Sequence, residues 1–455
     1  MPDGIPNLFI EPDCEHNCLV KKGCLKPTIG DLVKSCALQG SQSVLLPVSD
    51  AAHLVYGNPE CVQNSWKVLE SKLTELQQFP LIFSMGYKYT DIVLNDKNIL
   101  LNAICYIAEH FKPSCIFVYT PCINAIATDD LKATCEKAEE ICTVPAVPIY
   151  NSVSNTGANM GCRQAGESLF ETVIGTATKE PLKLTLFDMN LIGGDSFSRE
   201  GDQIEAILSK IGVRVLSRIG GECTFDELRT AHQVKLNMLI SSRSMLTLVR
   251  KMRESYGIPY FEGSFYGSRE IRFSLMQIAF FFQNPELDKR IVRYMRREEV
   301  LLRKDISRSY KSLKGKKIVL FTDGIESWTF ISMLYELGMK IVAIGTNQNA
   351  QEDISRIKER MKEKTVLIDH SDENKILTLY RERKAELMIV SRRNSYVPLK
   401  EKIPFLDVDE SQHSIYVGYE GVRRFAKDLL DTLEQPIWKI ICRLSPWEVD
   451  SYGEC

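Results

Sequence analysis

Short runs of β-branched and aliphatic residues, each closed by a turn signal and followed by an amphipathic helical stretch, recur along the whole chain. SVLLPV (43–48), LIFSMG (81–86), CIFVYT (115–120) and AVPIYN (146–151) form a first set of strand candidates. LTLFDMNLI (184–192), VRVLSRI (213–219), LNMLIS (236–241) and PYFEG (259–263) form a second. KIVLFT (317–322), KIVAIG (340–345), TVLIDH (365–370), LMIVSR (387–392) and PFLDVD (404–409) form a third. A strand that is apolar along its length needs cover on both faces, and helices returning between successive strands supply it in parallel sheets. The pattern predicts an α/β protein of three Rossmann-like domains, each an open, mostly parallel sheet flanked by helices.

The length of 455 residues agrees with about three domains. The expected organisation is an N-terminal arm (1–25), α/β domains at 26–180, 181–315 and 316–435, and a C-terminal tail (436–455). The charged stretch at 284–316 reads as a solvated helix leading into the third domain.

A formal net charge of −2 argues against a nucleic-acid surface built on bulk positive charge. The longest apolar stretches, such as SLMQIAFFF (274–282), fall short of the roughly 18 residues a membrane span requires. MPDGIPNLFIEPDC lacks the basic and apolar regions of a signal peptide, so a cytoplasmic protein is expected. Fourteen cysteines in a reducing compartment then point to metal or catalysis rather than to disulfides. Cys105 and Cys115, in apolar runs, are expected to be small core residues.

Metal ligation is the chemistry with most support. LFTDGIESWTF (320–330) and MNLIGGDSFSREGDQ (189–203) fit neither a P-loop nor a dinucleotide fingerprint and read as close-packing turns. No HExxH, paired-cysteine zinc ribbon or nucleophile elbow occurs. Cys14, Cys18, Cys24 and Cys36 crowd the N-terminal region at a spacing that fits no common metal motif. Cys61 follows a turn rich in Gly, Asn and Pro, and Cys122 ends a predicted strand. With Cys36 they fall in the first α/β unit. Three thiolates leave an iron–sulfur cluster one ligand short, which a neighbouring chain could supply.

The stretch KPTIGDLVKSCALQGSQSVLLPVSDAAHLVYGNPECVQNSW resembles the start of the nitrogenase component 1 superfamily. The likeness continues through FVYTPC, MNLIGG, LNMLISSRSMLTLVRKMRESYGIPYFEGSFYG, DGIESW and YVGYEGVRRFAKDL. Within the superfamily it is to the alpha-type subunits of cofactor-assembly scaffolds, whose tail PIWKIICRLSPWE (436–448) also resembles. The resemblance implies that Cys36, Cys61 and Cys122 hold a [4Fe–4S] cluster, completed by a cysteine of a beta-type partner in an α2β2 heterotetramer. It implies electron delivery by a nitrogenase reductase-like iron protein, and no nucleic-acid or membrane partner.

It also implies a cavity for a larger iron–sulfur cofactor precursor. Ser241 and Val417 stand where catalytic subunits carry the cysteine and histidine that hold the cofactor. A hydroxyl is a poor substitute for a thiolate on iron. Three explanations compete: Cys223 or Cys162 replaces the thiolate; cationic Arg243, Arg392, Arg393 and Lys400 hold an anionic cargo; or the site is abandoned. Cys162 and Arg163 occupy a region where catalytic subunits have histidines. His53 and His232 are expected to be satisfied structural histidines. The functional expectation is a scaffold that matures a nitrogenase cofactor precursor. The alternative is a nitrogenase-like reductase acting on an organic substrate such as a tetrapyrrole. Ser241, Val417 and Arg163 make dinitrogen reduction the least expected activity. Cys14, Cys18 and Cys24 have no assigned role.

Overall fold

The computed structural model describes residues 36–57, 60–63, 80–85, 97–121, 129–150, 158–177, 185–193, 198–240, 243–347, 357–362, 364–369, 373–391, 394–408 and 416–441. Among them lie three sheets, and every strand pair is parallel. The fold class read from the sequence is the one observed. β1 (Ala51–Tyr56), β2 (Leu81–Met85), β3 (Cys115–Thr120) and β4 (Ala146–Tyr150) pair in the order β2-β1-β3-β4. β5 (Asp188–Ile192), β6 (Arg214–Ile219), β7 (Leu236–Ile240) and β8 (Tyr260–Gly263) pair in the order β6-β5-β7-β8. β9 (Lys317–Asp323), β10 (Lys340–Asn347), β11 (Val366–Asp369), β12 (Leu387–Val390) and β13 (Phe405–Asp407) pair in the order β11-β10-β9-β12-β13.

The first sheet shows why its strands are apolar without alternation. One face, with Ala52, Leu54, Ile116 and Val118, packs on α2 (Lys97–Phe111) and α3 (Asp129–Cys142). The other face, with Ala51, Val55, Phe117 and Tyr119, packs on α1 (Ala37–Leu45) and α4 (Ala158–Thr172). The same core continues into the second sheet and α7 (Leu246–Tyr256) through Leu239, Leu248 and Val249. α5 (Ser198–Ile211) and α6 (Phe225–Thr230) complete that region. The chain divides into two compact units, 1–263 with 274–291, and 264–273 with 292–455.

A backbone seam links the segment before β1 to the segment after β6. Val48 forms a parallel bridge with Cys223, and Ser49 N donates to Cys223 O at 2.9 Å. Asp50 Oδ1 accepts from Phe225 N at 2.8 Å, at the first turn of α6. Thr224 and Glu227 close a capping box on the same helix. Three orphan donors at that end are thus satisfied, one of them by a residue from the first sheet's side of the seam.

After the second sheet come α8 (Ser268–Phe282), α9 (Pro285–Asp305) and α10 (Ser307–Leu313). Asn284 Oδ1 accepts from Glu286 N and Leu287 N and so starts α9. Leu287, Ile291, Met295 and Leu302 are buried at helical spacing, so α9 has an apolar stripe as well as its solvated face. α11 (Gly324–Glu336), α12 (Glu373–Glu382), α13 (Tyr396–Lys400) and α14 (Gly418–Glu434) accompany the third sheet. Arg423 of α14 pairs with Glu298 and Asp305 of α9.

Two sequence expectations are corrected. SVLLPV is not a strand: its first three residues end α1, and the strand is AAHLVY, β1. A short apolar run has the same composition in a buried helix as in a buried strand. Here the decision comes from contact with α4. A Cβ on Gly40 would stand 1.9 Å from Ala158 O, and one on Gly161 would stand 1.8 Å from Ala37 O. Ser41 Oγ bonds Gly161 O across this contact at 3.2 Å. Cys105 is not a lone core thiol but forms a disulfide with Cys142, the last residue of α3.

Gly161→Ala should destabilise the protein by about 1–3 kcal/mol, because the added methyl meets backbone that cannot turn aside. Gly166→Ala meets side-chain atoms no closer than 3.3 Å and should cost far less. Urea midpoints of the two variants test this; equal losses would refute the close helix contact.

Candidate metal centre

In an open parallel sheet the point where strand order reverses leaves a crevice beyond the carboxyl ends of two neighbouring strands. In the first sheet that point lies between β1 and β3. Their register pairs Val55 with Tyr119, so the chain leaves both strands side by side. The exits touch: a Cβ on Gly57 would stand 2.3 Å from Pro121 Cγ. Glycine is what permits this approach. Gly57 N also donates to Met85 O at 3.2 Å, which ties the exit of β2 to the same place.

Cys61 lies in the helical turn that follows Gly57, half-buried against the core that holds Phe117 and Tyr119. Cys36 is exposed and is the N-cap residue of α1, with extended backbone at φ −119° and ψ 143°. It therefore begins a helix that covers the sheet face on which Cys61 packs. Cys122 follows Pro121 directly in sequence but lies outside the described residues.

His53 of β1 and Tyr119 of β3 lie in the core on this face. His53 Nδ1 and the Tyr119 hydroxyl are 2.8 Å apart, and the imidazole stacks on Phe117 at 5.5 Å between ring centroids. Burial lowers the His53 pKa to about 3 and raises that of Tyr119 well above the phenol range. His53 is accordingly neutral, and its Nε2 is buried with no hydrogen-bond partner. The expectation of a satisfied histidine holds for one ring nitrogen only. His232, whose Nδ1 is 3.2 Å from Arg229 O and whose ring packs on Tyr256, is structural as expected.

The other sequence candidates separate by environment. Cys162 is buried in the contact between α1 and α4, where its thiol donates to Gly40 O at 3.4 Å. Cys223 is buried in the seam, and burial followed by the charge of Glu227 pushes its thiol far above the ordinary range. A buried thiol that keeps its proton is a packing group and has little thiolate to offer a metal. Arg163 is half-buried on α4, and Lys400 is exposed at the end of α13. Arg243 opens the short turn Arg243–Met245 after β7. Val417 is buried and caps α14. Ser241, Arg392 and Arg393 lie outside the described residues.

In sequence, however, Ser241 directly follows β7, one of the two strands at the second sheet's reversal. Arg392 and Arg393 follow β12, at the third sheet's reversal. Among the described residues no group of three or more His, Cys, Asp or Glu side chains is arranged to hold a metal ion. Cys36 and Cys61 are not sealed in the core, and thiolate is the soft ligand iron–sulfur clusters take, so the chemistry of these two residues fits such a cluster. Sequence reasoning missed the Gly57–Pro121 contact and the His53–Tyr119 pair. Only the turn in YGNPEC signalled the first, and no local pattern signalled the second.

Three parallel sheets flanked by helices define an α/β protein built of Rossmann-like sheets. The family model for nitrogenase component 1 type oxidoreductases matches residues 36–434, and the chain belongs to that family. The nitrogenase iron-molybdenum cofactor biosynthesis protein NifE of Nostoc sp. is 36% identical, over 98% of this chain and 94% of that protein. The protein of the same name from Klebsiella pneumoniae is 34% identical, over 97% of this chain and 98% of that protein. Among solved structures, Nitrogenase Cp1 at pH 5 matches with a TM-score of 0.78 and covers 93% of each chain at 22% identity, a likeness of fold. No helix among the described residues is long and apolar enough to cross a membrane.

The buried histidine generates a pH prediction. Unfolded, His53 takes up a proton near its ordinary 6.5; folded, it does so only near 3. Its contribution to stability is fully present above 6.5 and is lost as pH falls from there toward 3. Between pH 7.5 and 5 the wild type should lose about 2 kcal/mol more than His53→Phe. Urea midpoints at the two pH values measure the difference, and parallel losses would exclude a buried neutral imidazole.

Proposed function

We propose that this chain is the alpha-type subunit of a scaffold for biosynthesis of the nitrogenase iron–molybdenum cofactor. The observation that carries the reading is its end-to-end likeness, at 36% and 34% identity, to proteins of that function. Cys36, Cys61 and Cys122, with a thiolate from a beta-type partner, hold a [4Fe–4S] cluster at the subunit interface. Support comes from the reversal between β1 and β3, where the exits leading to Cys61 and Cys122 touch through Gly57 and Pro121. When bound, the cluster supplies a one-electron relay. The chain's own part is to fix the two strand exits, keep the thiols Cys115 and Cys223 protonated and packed, and hold Cys36 at the surface. The assembly is an α2β2 heterotetramer that receives electrons from a reductase-like iron protein in the cytoplasm.

A larger iron–sulfur precursor is the cargo. Val417 offers it no nitrogen ligand, which suits a protein that must release what it matures, whereas Ser241 offers a hard hydroxyl, a poor substitute for a thiolate. Arg163, Arg243, Arg392, Arg393 and Lys400 are the cations available to an anionic cargo. The same Ser241 favours a second reading, a nitrogenase-like reductase that keeps only the interface cluster and reduces an organic substrate.

Anaerobic co-purification with the beta-type partner tests the site. Cys61→Ala and Cys122→Ala should each lower iron by roughly four atoms per αβ pair and remove the cluster's EPR signal, whereas Cys162→Ala should leave both unchanged. Unchanged iron in all three would overturn the ligand assignment. Ser241→Cys should increase the amount of precursor retained after gel filtration; a wild type and variant that both carry roughly four irons and no cargo would favour the reductase.

A further inference from the structure

The described cysteines differ in what oxidation could do to them. Cys115, Cys135, Cys162 and Cys223 are buried. Burial, then Glu136 and Glu139, push the Cys135 thiol up to about 12, and burial, then Asp50, also raise that of Cys115. Cys36 and Cys61 are the ligands proposed above. Cys105 and Cys142 combine partial exposure with a thiol partner in reach. They lie on α2 and α3, helices that pack side by side on one sheet face, with Cα atoms 5.8 Å apart. That separation is within the range a disulfide spans without moving backbone. Their neighbours Tyr106 and Ile141 are 58% and 59% exposed, so a small reagent can approach the pair from solvent.

We propose that Cys105 and Cys142 are a redox-responsive pair, a dithiol under strongly reducing conditions and a disulfide when a glutathione-type disulfide accumulates. One thiolate attacks a sulfur of glutathione disulfide, forming a mixed disulfide and releasing one glutathione. The second cysteine attacks the mixed disulfide and releases the other. Two electrons pass from the pair to glutathione disulfide, and the two thiol protons go to the two glutathiones released. The bond pins the end of α3 to the middle of α2, on the sheet face opposite the one where Cys61 packs. α3 is also the helix that follows the segment carrying Cys122. Oxidation therefore ties α2 to α3 without consuming the cysteines proposed as ligands. The pairing itself does not depend on the function proposed above.

The test uses the full chain purified anaerobically with its partner and divided between dithiothreitol and glutathione disulfide, both without oxygen. N-ethylmaleimide then blocks remaining thiols, and peptides are analysed by mass spectrometry. A crosslinked peptide of Cys105 and Cys142 should be at least about tenfold more abundant after glutathione disulfide, with both residues alkylated after dithiothreitol. Cys105→Ser should abolish the crosslink and leave a glutathione adduct on Cys142. Full alkylation of both cysteines under glutathione disulfide would overturn the pair. So would a crosslink that survives dithiothreitol, or an unmodified Cys142 in the variant.

Discussion

The parallel pairing of β1 with β3 is the constraint on which the rest of this arrangement depends. Both strands are covered on both faces, so their backbone groups must pair with each other and with β2 and β4. The register then brings their carboxyl ends out together, and Gly57 lets the two exits meet at Pro121. The helices follow from the same need for cover. α1 reaches the sheet by lying against α4 through Gly40 and Gly161, and the chain leaving α1 bridges to Cys223, between β6 and α6. One strand pair thus sets the place of the candidate centre, and the two glycine contacts hold its surroundings.

Burial sorts the thiols of this chain into groups with different chemistry. In the core, desolvation disfavours the thiolate, and nearby carboxylates such as Asp50 and Glu227 disfavour it further. Such cysteines act as small apolar residues. At helix starts the same side chain lies nearer the surface, exposed at Cys36 and half-buried at Cys61. On the outer helices of the first sheet, two thiols face each other. Residue type alone places all of these in one class; the fold separates them.

The three sheets were legible because parallel strands buried on both faces leave long apolar runs, as in CIFVYT and LMIVSR, and each run is followed by an amphipathic helix. SVLLPV was misread because an apolar run of that length suits either state, and its helix is selected by a contact with Gly161, far away in sequence. β1 was overlooked for the converse reason: His53 interrupts AAHLVY, and its burial depends on Tyr119 and Phe117 of another strand. Cys162 and Cys223, read as candidate substitutes for a missing thiolate, lie one inside a helix contact and the other inside a seam. Cys105 looked like a core thiol because nothing near it in sequence announces Cys142.

By itself the sequence determined the α/β class and the family resemblance, since both are written in local runs of residues. The tertiary structure decided which strands share a reversal, which thiols keep their protons, which histidine nitrogen is left unpaired and which cysteines pair. Those outcomes depend on distances between segments far apart in the chain and on the loss of water around them, and no local pattern encodes either.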